Sequence, residues 1–218
     1  VSNGGGLLLM DSAANLENPV VYWSDLRTSL KRTVAPTVEP VTVPSLRQQA
    51  RIGDVDDENQ IASEWLIGCR ELVEVDARVA LCTQTWTLQF DQFPCDVIEI
   101  PIWPLASISS IAYVDTDGTT QTWAASNYIV NTANKPGRVT LAYNIAWPTA
   151  RLQENAITVT FVAGFGGAVD VPQIYKQAIR LLGAECFISR EAVGNLNDEQ
   201  LVNYRAWIAR GMWSGGYR

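Results

Sequence analysis

A glycine turn is the first feature of this chain that could do chemistry. Gly164-Phe165-Gly166-Gly167 lies between a run of alternating β-branched residues and a helical pattern, where backbone N–H groups can hold a phosphate. The dinucleotide fingerprint G-x-G-x-x-G requires a third glycine at position 169, which is Val169 here. Pro172, which suits the first position of a helix, does not follow the glycines directly. We therefore predict a structural strand-to-helix corner and no nucleotide site.

Carboxylates are the second such feature. Asp54, Asp56, Asp57 and Glu58 are clustered like cation ligands, but they lack the spacing and the terminal glutamate of a calcium loop. Acidic residues at the start of a helix are the more ordinary interpretation, because they complement the helix dipole. The paired carboxylates of a glycoside hydrolase meet in space, so spacing leaves that alternative open for four acids near predicted strand ends: Asp91, Asp96, Glu99 and Asp115.

Histidine is absent from the sequence. Its absence excludes Ser–His–Asp and Cys–His nucleophile systems, H-E-x-x-H sites and Cys/His zinc sites. The four cysteines stand singly and form no C-x-x-C pair, so we predict reduced, semi-buried thiols in a cytoplasmic protein; they are Cys69, Cys82, Cys95 and Cys186. We expect no cofactor, no metal and no enzymatic activity.

The charge of the chain is unevenly distributed. With 16 basic and 23 acidic residues the net charge is −7, which argues against a general nucleic-acid-binding surface. Residues 172–218 reverse the balance, which suggests that this end docks on a partner. The opening VSNGGGLLLM does not match a secretory leader, and no stretch reaches the ~18 apolar residues of a membrane span. We therefore expect no membrane association.

The elements that would position these residues are of two kinds. Apolar residues recur at helical steps in Ser45–Arg51, Asp57–Arg78, Pro172–Arg190 and Asp198 to about Arg210. Between them the period changes to two, which predicts the strands Thr83–Asp91, Val97–Ile100, Ser107–Asp115, Thr119–Trp123, Tyr128–Val130, Arg138–Tyr143 and Ala156–Ala163. We predict an α+β fold: a helical bundle with an inserted antiparallel β module, plus an extended N-terminal arm.

The predicted domain organisation has three parts. Residues 1–43 form an arm and proline-rich linker, in which Ser24–Lys31 could make two helical turns and Val34–Pro44 is extended. Residues 44–210 form the main domain, with helices 45–78 and 172–210 around the β module 83–163. Residues 211–218 form a C-terminal tail rich in glycine and aromatic residues, either a docking segment or a frayed terminus.

Tryptophan is frequent, with eight residues in the chain. In the β module such side chains more often belong to a core or a subunit interface than to a stacking platform. A carbohydrate- or peptide-binding face on the β module therefore remains open as an alternative.

The order of short motifs resembles a known family. The run includes R-I-x-x-x-D-D-E-N-x-x-I (51–61), A-L-C-T-Q-T-W-T-L (80–88), S-I-x-Y-V-D-x-D-G (110–118), G-R-V-T-L-A-Y (137–143), N-A-I-T-V-T-F-V-A-G-F-G (155–166) and V-P-Q-x-x-K-Q-A-I-x-L-L (171–182). Across about residues 44–192 the chain resembles the head–tail connector, or adaptor, proteins of long-tailed bacteriophages and related gene transfer agents. The arm and the basic aromatic ending depart from that pattern.

The resemblance implies a structural function. Members of the family form a ring, usually of about twelve copies, beneath the portal protein. The ring extends the DNA channel, lets DNA pass without sequence-specific binding, and offers a platform for stopper or tail-completion proteins. The expected location is the neck of the virion, with assembly in the host cytoplasm. A C-terminal segment that inserts into the portal corresponds here to Trp207, Met212, Trp213, Tyr217 and Arg218.

The acidic face of the long predicted helix fits the same interpretation. Glu64, Glu71 and Glu74 lie on its polar side. In a ring, carboxylates that face the channel would repel DNA phosphates and let the duplex slide. The alternatives are a β-rich carbohydrate- or peptide-binding module without catalysis and, behind it, a carboxylate hydrolase.

Overall fold

Helices and antiparallel sheets make up the fold. The computed structural model describes residues 28–50, 56–189, 202, 204–206, 208 and 209, with the backbone alone at 56–61. The helices are α1 (Val43–Ala50), α2 (Asp56–Ala77) and α3 (Gln173–Ser189), and residues 202, 204–206, 208 and 209 are helical. The strands are β1 (Thr28–Val34), β2 (Gln84–Phe90), β3 (Val97–Ile100), β4 (Leu105–Val114), β5 (Thr120–Trp123), β6 (Tyr128–Asn131), β7 (Gly137–Leu141) and β8 (Ile157–Ala163). The predicted α+β class is confirmed.

Helix α2 ends in a capping motif that its sequence does not predict. Arg78 adopts a left-handed conformation, with φ of 52°. The N–H of Arg78 donates to the carbonyl of Val75 and the N–H of Val79 to that of Glu74. This is the Schellman pattern, which satisfies the last carbonyls of a helix. The chain therefore turns sharply after α2 and enters the β module within a few residues.

The strands form two antiparallel sheets. The five-stranded sheet has the order β1-β2-β8-β4-β5, and the three-stranded sheet has the order β3-β7-β6. Strand β8 lies at the centre of the larger sheet, and its alternate residues Ile157, Val159, Phe161 and Ala163 are all fully buried. The period of two in the sequence is therefore the alternation of core-facing and opposite-facing side chains.

Two hydrophobic cores divide the molecule. Helices α1, α2 and α3 enclose one core, which includes Leu46, Cys69, Val73 and Leu182. The two sheets enclose the other core through residues such as Ile98, Val139 and Phe161. The bundle and the inserted β module thus correspond to separate cores, joined where α2 leads into β2 and where β8 leads into α3.

Strand β1 corrects part of the prediction for the N-terminal residues. Two helical turns over Ser24–Lys31 are wrong where the segment is described, because Thr28–Val34 pairs antiparallel with β2, with Thr28 opposite Phe90 and Leu30 opposite Leu88. An open sheet edge supplies backbone partners that override weak local helix propensity. The segment predicted as an extended linker, Val34–Pro44, is partly folded: Val34 ends β1, Val43 and Pro44 begin α1, and only residues 35–42 lie outside helix and strand, with Val41 buried in the helical core.

No helix in the described parts of the chain is both long enough and apolar enough to span a membrane.

Candidate functional site

The three glutamates of the predicted acidic face do not share one exposed surface. Glu64 is exposed, the side chain of Glu71 is 44% exposed, and that of Glu74 is only 7% exposed. The predicted channel-facing position therefore does not suit Glu74, whose carboxylate points into the protein. For Glu64 and Glu71 that position stays a prediction.

The carboxylate of Glu74 joins the last turn of α2 to the start of β2. Its Oε1 accepts hydrogen bonds from the backbone N–H of Leu81, at 2.9 Å, and from Nε2 of Gln84, at 2.5 Å. Its Oε2 accepts a hydrogen bond from Nη1 of Arg70, at 2.7 Å. A buried carboxylate needs such donors, because an uncompensated charge away from water is very costly. One side chain thus fixes the helix, the connecting segment and the first central strand together.

Two arginines extend this arrangement into an ion cluster of Arg32, Glu39, Arg70, Glu71 and Glu74. Nε of the buried Arg70 donates to Oε2 of Glu39 at 2.8 Å. Nη2 of Arg32, on β1, lies 2.5 Å from Oε1 of Glu71, and its Nη1 lies 3.7 Å from Oε2 of Glu74. Charged hydrogen bonds of this kind are stronger than neutral ones. The ion cluster therefore ties β1 and residues 35–42 to α2.

Burial raises the pKa of Glu74 above its ordinary value, while the Leu81 N–H, Arg70 and Gln84 lower it in part. The sequence contained one signal for this site, the spacing of four between Arg70 and Glu74 on one helix. No pattern in the sequence indicated the other members of the site, Arg32, Glu39 and Gln84, because they lie in segments that meet α2 only in the folded chain.

The glycine turn is a structural corner, as predicted. Gly164 and Gly166 have φ values of 130° and 126°, and a Cβ on Gly164 would meet the carbonyl oxygen of Cys82 at 2.5 Å. The backbone N–H groups of Gly164 and Phe165 donate to the carbonyls of Pro104 and Leu81. These donors are used inside the fold, so they are not available to a phosphate.

The aromatic ring of Phe165 connects the two parts of the molecule at this corner. It packs edge-on against Trp103, with ring centroids 5.0 Å apart, and lies 6.0 Å from the ring of Tyr175 on α3. Such pairs stabilise by about 1 kcal/mol beyond their buried area. The corner therefore fixes the position of α3 relative to the β module.

Three of the four candidate catalytic acids of the β module serve local structure, and the fourth, Asp96, is exposed. Asp91 accepts a hydrogen bond from the N–H of Asn155, and Glu99 pairs with Arg138 at 3.0 Å. Asp115 accepts from the N–H groups of Asp117 and Thr119 in the β4–β5 hairpin, and from Gln121. These donors lower the pKa of Asp115. No pairing of carboxylates that would support hydrolysis is present among these bonds.

No cluster of metal-ligating side chains occurs in the described parts of the chain. Of the predicted acidic cluster, Asp54 lies outside the described residues, and Asp56, Asp57 and Glu58 are described only as helical backbone at the start of α2. Cys69, Cys82 and Cys186 are buried free thiols and Cys95 is half-buried.

The tryptophans of the β module pack inward and do not form an open stacking platform. Trp147 stacks on Phe93, with centroids 4.8 Å apart and planes within 8°. Trp86 and Trp123 pack against the core of the sheets. Lys135 lies over the ring of Trp103 at 4.7 Å. This arrangement favours the core interpretation over a carbohydrate-binding face.

The predicted portal-docking residues lie outside the described residues: Trp207, Met212, Trp213, Tyr217 and Arg218. Tyr204 and Ile208 are buried in the helical core, and the hydroxyl of Tyr204 donates to Oδ2 of Asp76 on α2. Burial raises the pKa of Tyr204, and this hydrogen bond adds to the effect. The helical residues that precede the tail are therefore anchored on α2.

Three solved structures contain chains with a similar fold. The first is the virion of a native gene transfer agent (GTA) particle, with a TM-score of 0.68, 20% identity, and coverage of 83% of this chain and 93% of that chain. The second is the neck of an empty GTA particle computed with C6 symmetry, with a TM-score of 0.66, 21% identity, and coverage of 82% and 94%. The third is the neck of a native GTA particle computed with C12 symmetry, with a TM-score of 0.61, 18% identity, and coverage of 82% and 94%.

These likenesses show a shared fold across nearly the full length of the compared chains. No family model matches the chain, and no curated protein matches it.

The ion cluster generates a stability prediction. Replacing Glu74 with Gln removes the charge that compensates the buried Arg70, so we expect the free energy of unfolding to fall by about 3 kcal/mol. The control is Glu71→Gln on the same helix. The ion pair of Glu71 with Arg32 is partly exposed, so its loss should lower the free energy of unfolding by about 1 kcal/mol or less. Urea denaturation followed by circular dichroism measures both. Equal losses for the two variants would show that Glu74 is not the centre of the cluster.

Proposed function

We propose that this chain is a structural, non-catalytic protein of the neck of a tailed-phage-like particle, where it forms a ring beneath the portal. The observation that carries the proposal is the fold shared with chains of gene transfer agent particles, including their necks, over 93–94% of the length of those chains. A chain that matches a whole subunit, and not one module of it, can occupy the same kind of position.

Symmetry supports the ring. The similar chains come from necks computed with C6 and C12 symmetry. Closed rings of identical subunits arise when one surface of a subunit binds a different surface of the next. A ring of about twelve copies beneath the portal would extend the DNA channel and give stopper or tail-completion proteins a platform. The proposed location is the neck of the virion, after assembly in the host cytoplasm.

The channel would be lined in part by α2. Glu64 is exposed on this helix, whereas the side chain of Glu71 is 44% exposed and that of Glu74 is buried. We therefore assign the DNA-repelling role of the predicted acidic face to Glu64. Repeated around a ring, one carboxylate per subunit would keep phosphates from adhering to the wall.

Docking on the portal is assigned to the C-terminal tail. The tail follows helical residues whose Tyr204 and Ile208 are buried against α2 and α3. Trp213, Tyr217 and Arg218 are of the types that dominate interface hot spots. A tail that follows an anchored helical segment and that carries aromatic and basic residues is suited to insertion into a partner protein.

Assembly is the direct test of the proposal. We expect size-exclusion chromatography with light scattering to give a ring mass for the purified protein, either alone or after addition of the portal. When the portal is added, it can act as a symmetric template for assembly. A ring that forms only with the portal therefore also agrees with the proposal. A chain that stays monomeric in both conditions contradicts the proposed function.

The tail generates a second prediction. Trp213→Ala combined with Tyr217→Ala should weaken portal binding by about 30-fold or more, because two hot-spot residues are truncated. Ser214→Ala, in the same segment, is the control and should bind like the unchanged chain. Titration of immobilised portal measures both variants. Retention of full affinity by the double variant would remove the tail from the docking site.

The channel generates a third prediction. Glu64→Lys should hold DNA in the neck and slow genome release, because a ring of ammonium groups attracts phosphates. The slowing should diminish as salt is raised. Glu154→Lys, an exposed acid of the β module, is the control. Release followed by a DNA-binding dye measures the effect, and identical release for both variants would place Glu64 away from the channel.

A further inference from the structure

Strand β1 is an edge of the five-stranded sheet, and both of its faces are largely open. Among the described residues, β2 is the only strand that pairs with it. Six of the seven residues of β1 are exposed, and Arg32 is half-buried. An edge strand presents a row of backbone N–H and C=O groups to any further strand, and native proteins usually cover or disrupt such an edge.

The edge is disrupted near the C-terminal end of β1. The pairing with β2 is regular from Thr28, opposite Phe90, to Arg32, opposite Trp86. The register then shifts between Arg32 and Val34. An irregularity of this kind stops further pairing. Residues 28–32 are therefore the part of the edge that can accept a further strand, of up to about five residues.

A groove of about 430 Å³ lies beside the same residues, between the end of α2 and the strands β1 and β2. Leu30 on β1 and Val75 on α2 both line it, and they are 38% and 71% exposed. The ion pair between Arg32 and Glu71 holds the two elements together, so the groove exists before anything covers it. Its apolar lining comes from Leu30, Val75, Val79, Trp86 and Ile102.

Residues 1–27 lie outside the described residues, and they enter the fold at Thr28, the first residue of β1. Residues 19–23 have the sequence PVVYW, and residues 24–27 have the sequence SDLR. β-branched and aromatic residues are typical of strands, and a proline is tolerated at the first position of one. Serine and aspartate favour turns, and four residues is a common length for a hairpin loop. The sequence therefore predicts a hairpin whose second strand is β1.

We propose that residues 20–23 fold back on β1 of their own chain and form a sixth strand of the larger sheet. A loop of residues 24–27 then places Trp23 opposite Thr28 and Val21 opposite Leu30. Residues directly opposite each other in an antiparallel pair lie on the same face of a sheet. Because Leu30 lines the groove, Val21 covers the open side of the groove. Pro19 has no N–H to donate, and it ends the new strand.

The short connection favours the arm of the same copy over that of a second copy. An antiparallel strand that pairs with residues 28–31 must approach from the end of β1 at which Thr28 lies, and residues 1–27 enter at that end. Closing a loop of four residues costs little conformational entropy. A strand from a second copy would in addition lose translational and rotational freedom.

The new strand goes beyond the proposed function, because it forms in a single chain whether or not a ring assembles. It also limits which surfaces can form a ring. With the edge of β1 covered, two copies cannot join there by pairing of their sheets, a contact that leads to open fibres. The contacts between subunits of the ring then use other surfaces.

Engineered cysteines test the register of the hairpin. Tyr22→Cys combined with Ser29→Cys places two thiols opposite each other in a pair whose Cα atoms are about 4.5 Å apart, a distance that a disulfide spans. Tyr22→Cys combined with Leu30→Cys is the control, because these side chains point to opposite faces. After oxidation with diamide, peptide mass mapping should find at least about tenfold more of the 22–29 link than of the 22–30 link. The mapping also separates these links from the four native thiols.

Mixed isotopes show which copy supplies the strand. Chains with and without ¹⁵N carry the 22–29 pair of cysteines, are unfolded together in urea, and are refolded before oxidation. The two halves of each linked peptide should carry the same isotope. Links between labelled and unlabelled halves would assign the strand to a neighbouring copy, and no link at all would leave the edge of β1 without it; both results overturn the proposal. A chain that forms the link and never assembles overturns the proposed ring alone.

Hydrogen exchange gives a second test without any substitution. In the unchanged chain, the amides of residues 20–23 should exchange at least about tenfold more slowly than those of residues 4–9, because only the former pair with β1. Mass spectrometry of overlapping peptides measures both segments. Equal, fast exchange in the two segments would show that residues 20–23 form no strand, whatever the cysteine pairs do.

Discussion

The burial of one carboxylate is the constraint on which the rest of this structure depends. Glu74 lies at the end of α2 with almost no contact with water, and its charge must be compensated inside the protein. The compensating groups come from α2 itself, from the segment that leads to β2, and from β2. Arg70 also donates a hydrogen bond to Glu39, and Arg32, on strand β1, lies close to the carboxylate of Glu74. The bundle, the β module and the N-terminal part of the fold therefore meet at one site.

This constraint links stability to the proposed assembly. The ion cluster holds β1 at the edge of the sheet and against α2, and both elements contribute walls to a surface groove of about 430 Å³. A subunit that must meet two neighbours needs two rigid, different surfaces, and polar networks of this kind supply the rigidity.

The sequence predicted the elements better than the site. Of the eight strands in the described residues, seven were expected within a few residues, because core-facing side chains recur at every second position of a buried strand, as in Ile157–Ala163. Strand β1 was missed because its conformation is set by pairing with β2, which local propensity does not contain. Glu74 was placed on a polar face because its position on α2 is polar, but Arg32 and Glu39, distant in sequence, cover that face. Long-range pairing of charges leaves no periodic signal.

The central claim is that identical copies of this chain form a ring in the neck of a particle. Electron cryomicroscopy of the chain bound to its portal tests it most directly. The account predicts a closed ring of identical subunits that is coaxial with the portal. Single copies scattered on the portal, or an open chain of subunits, would contradict it.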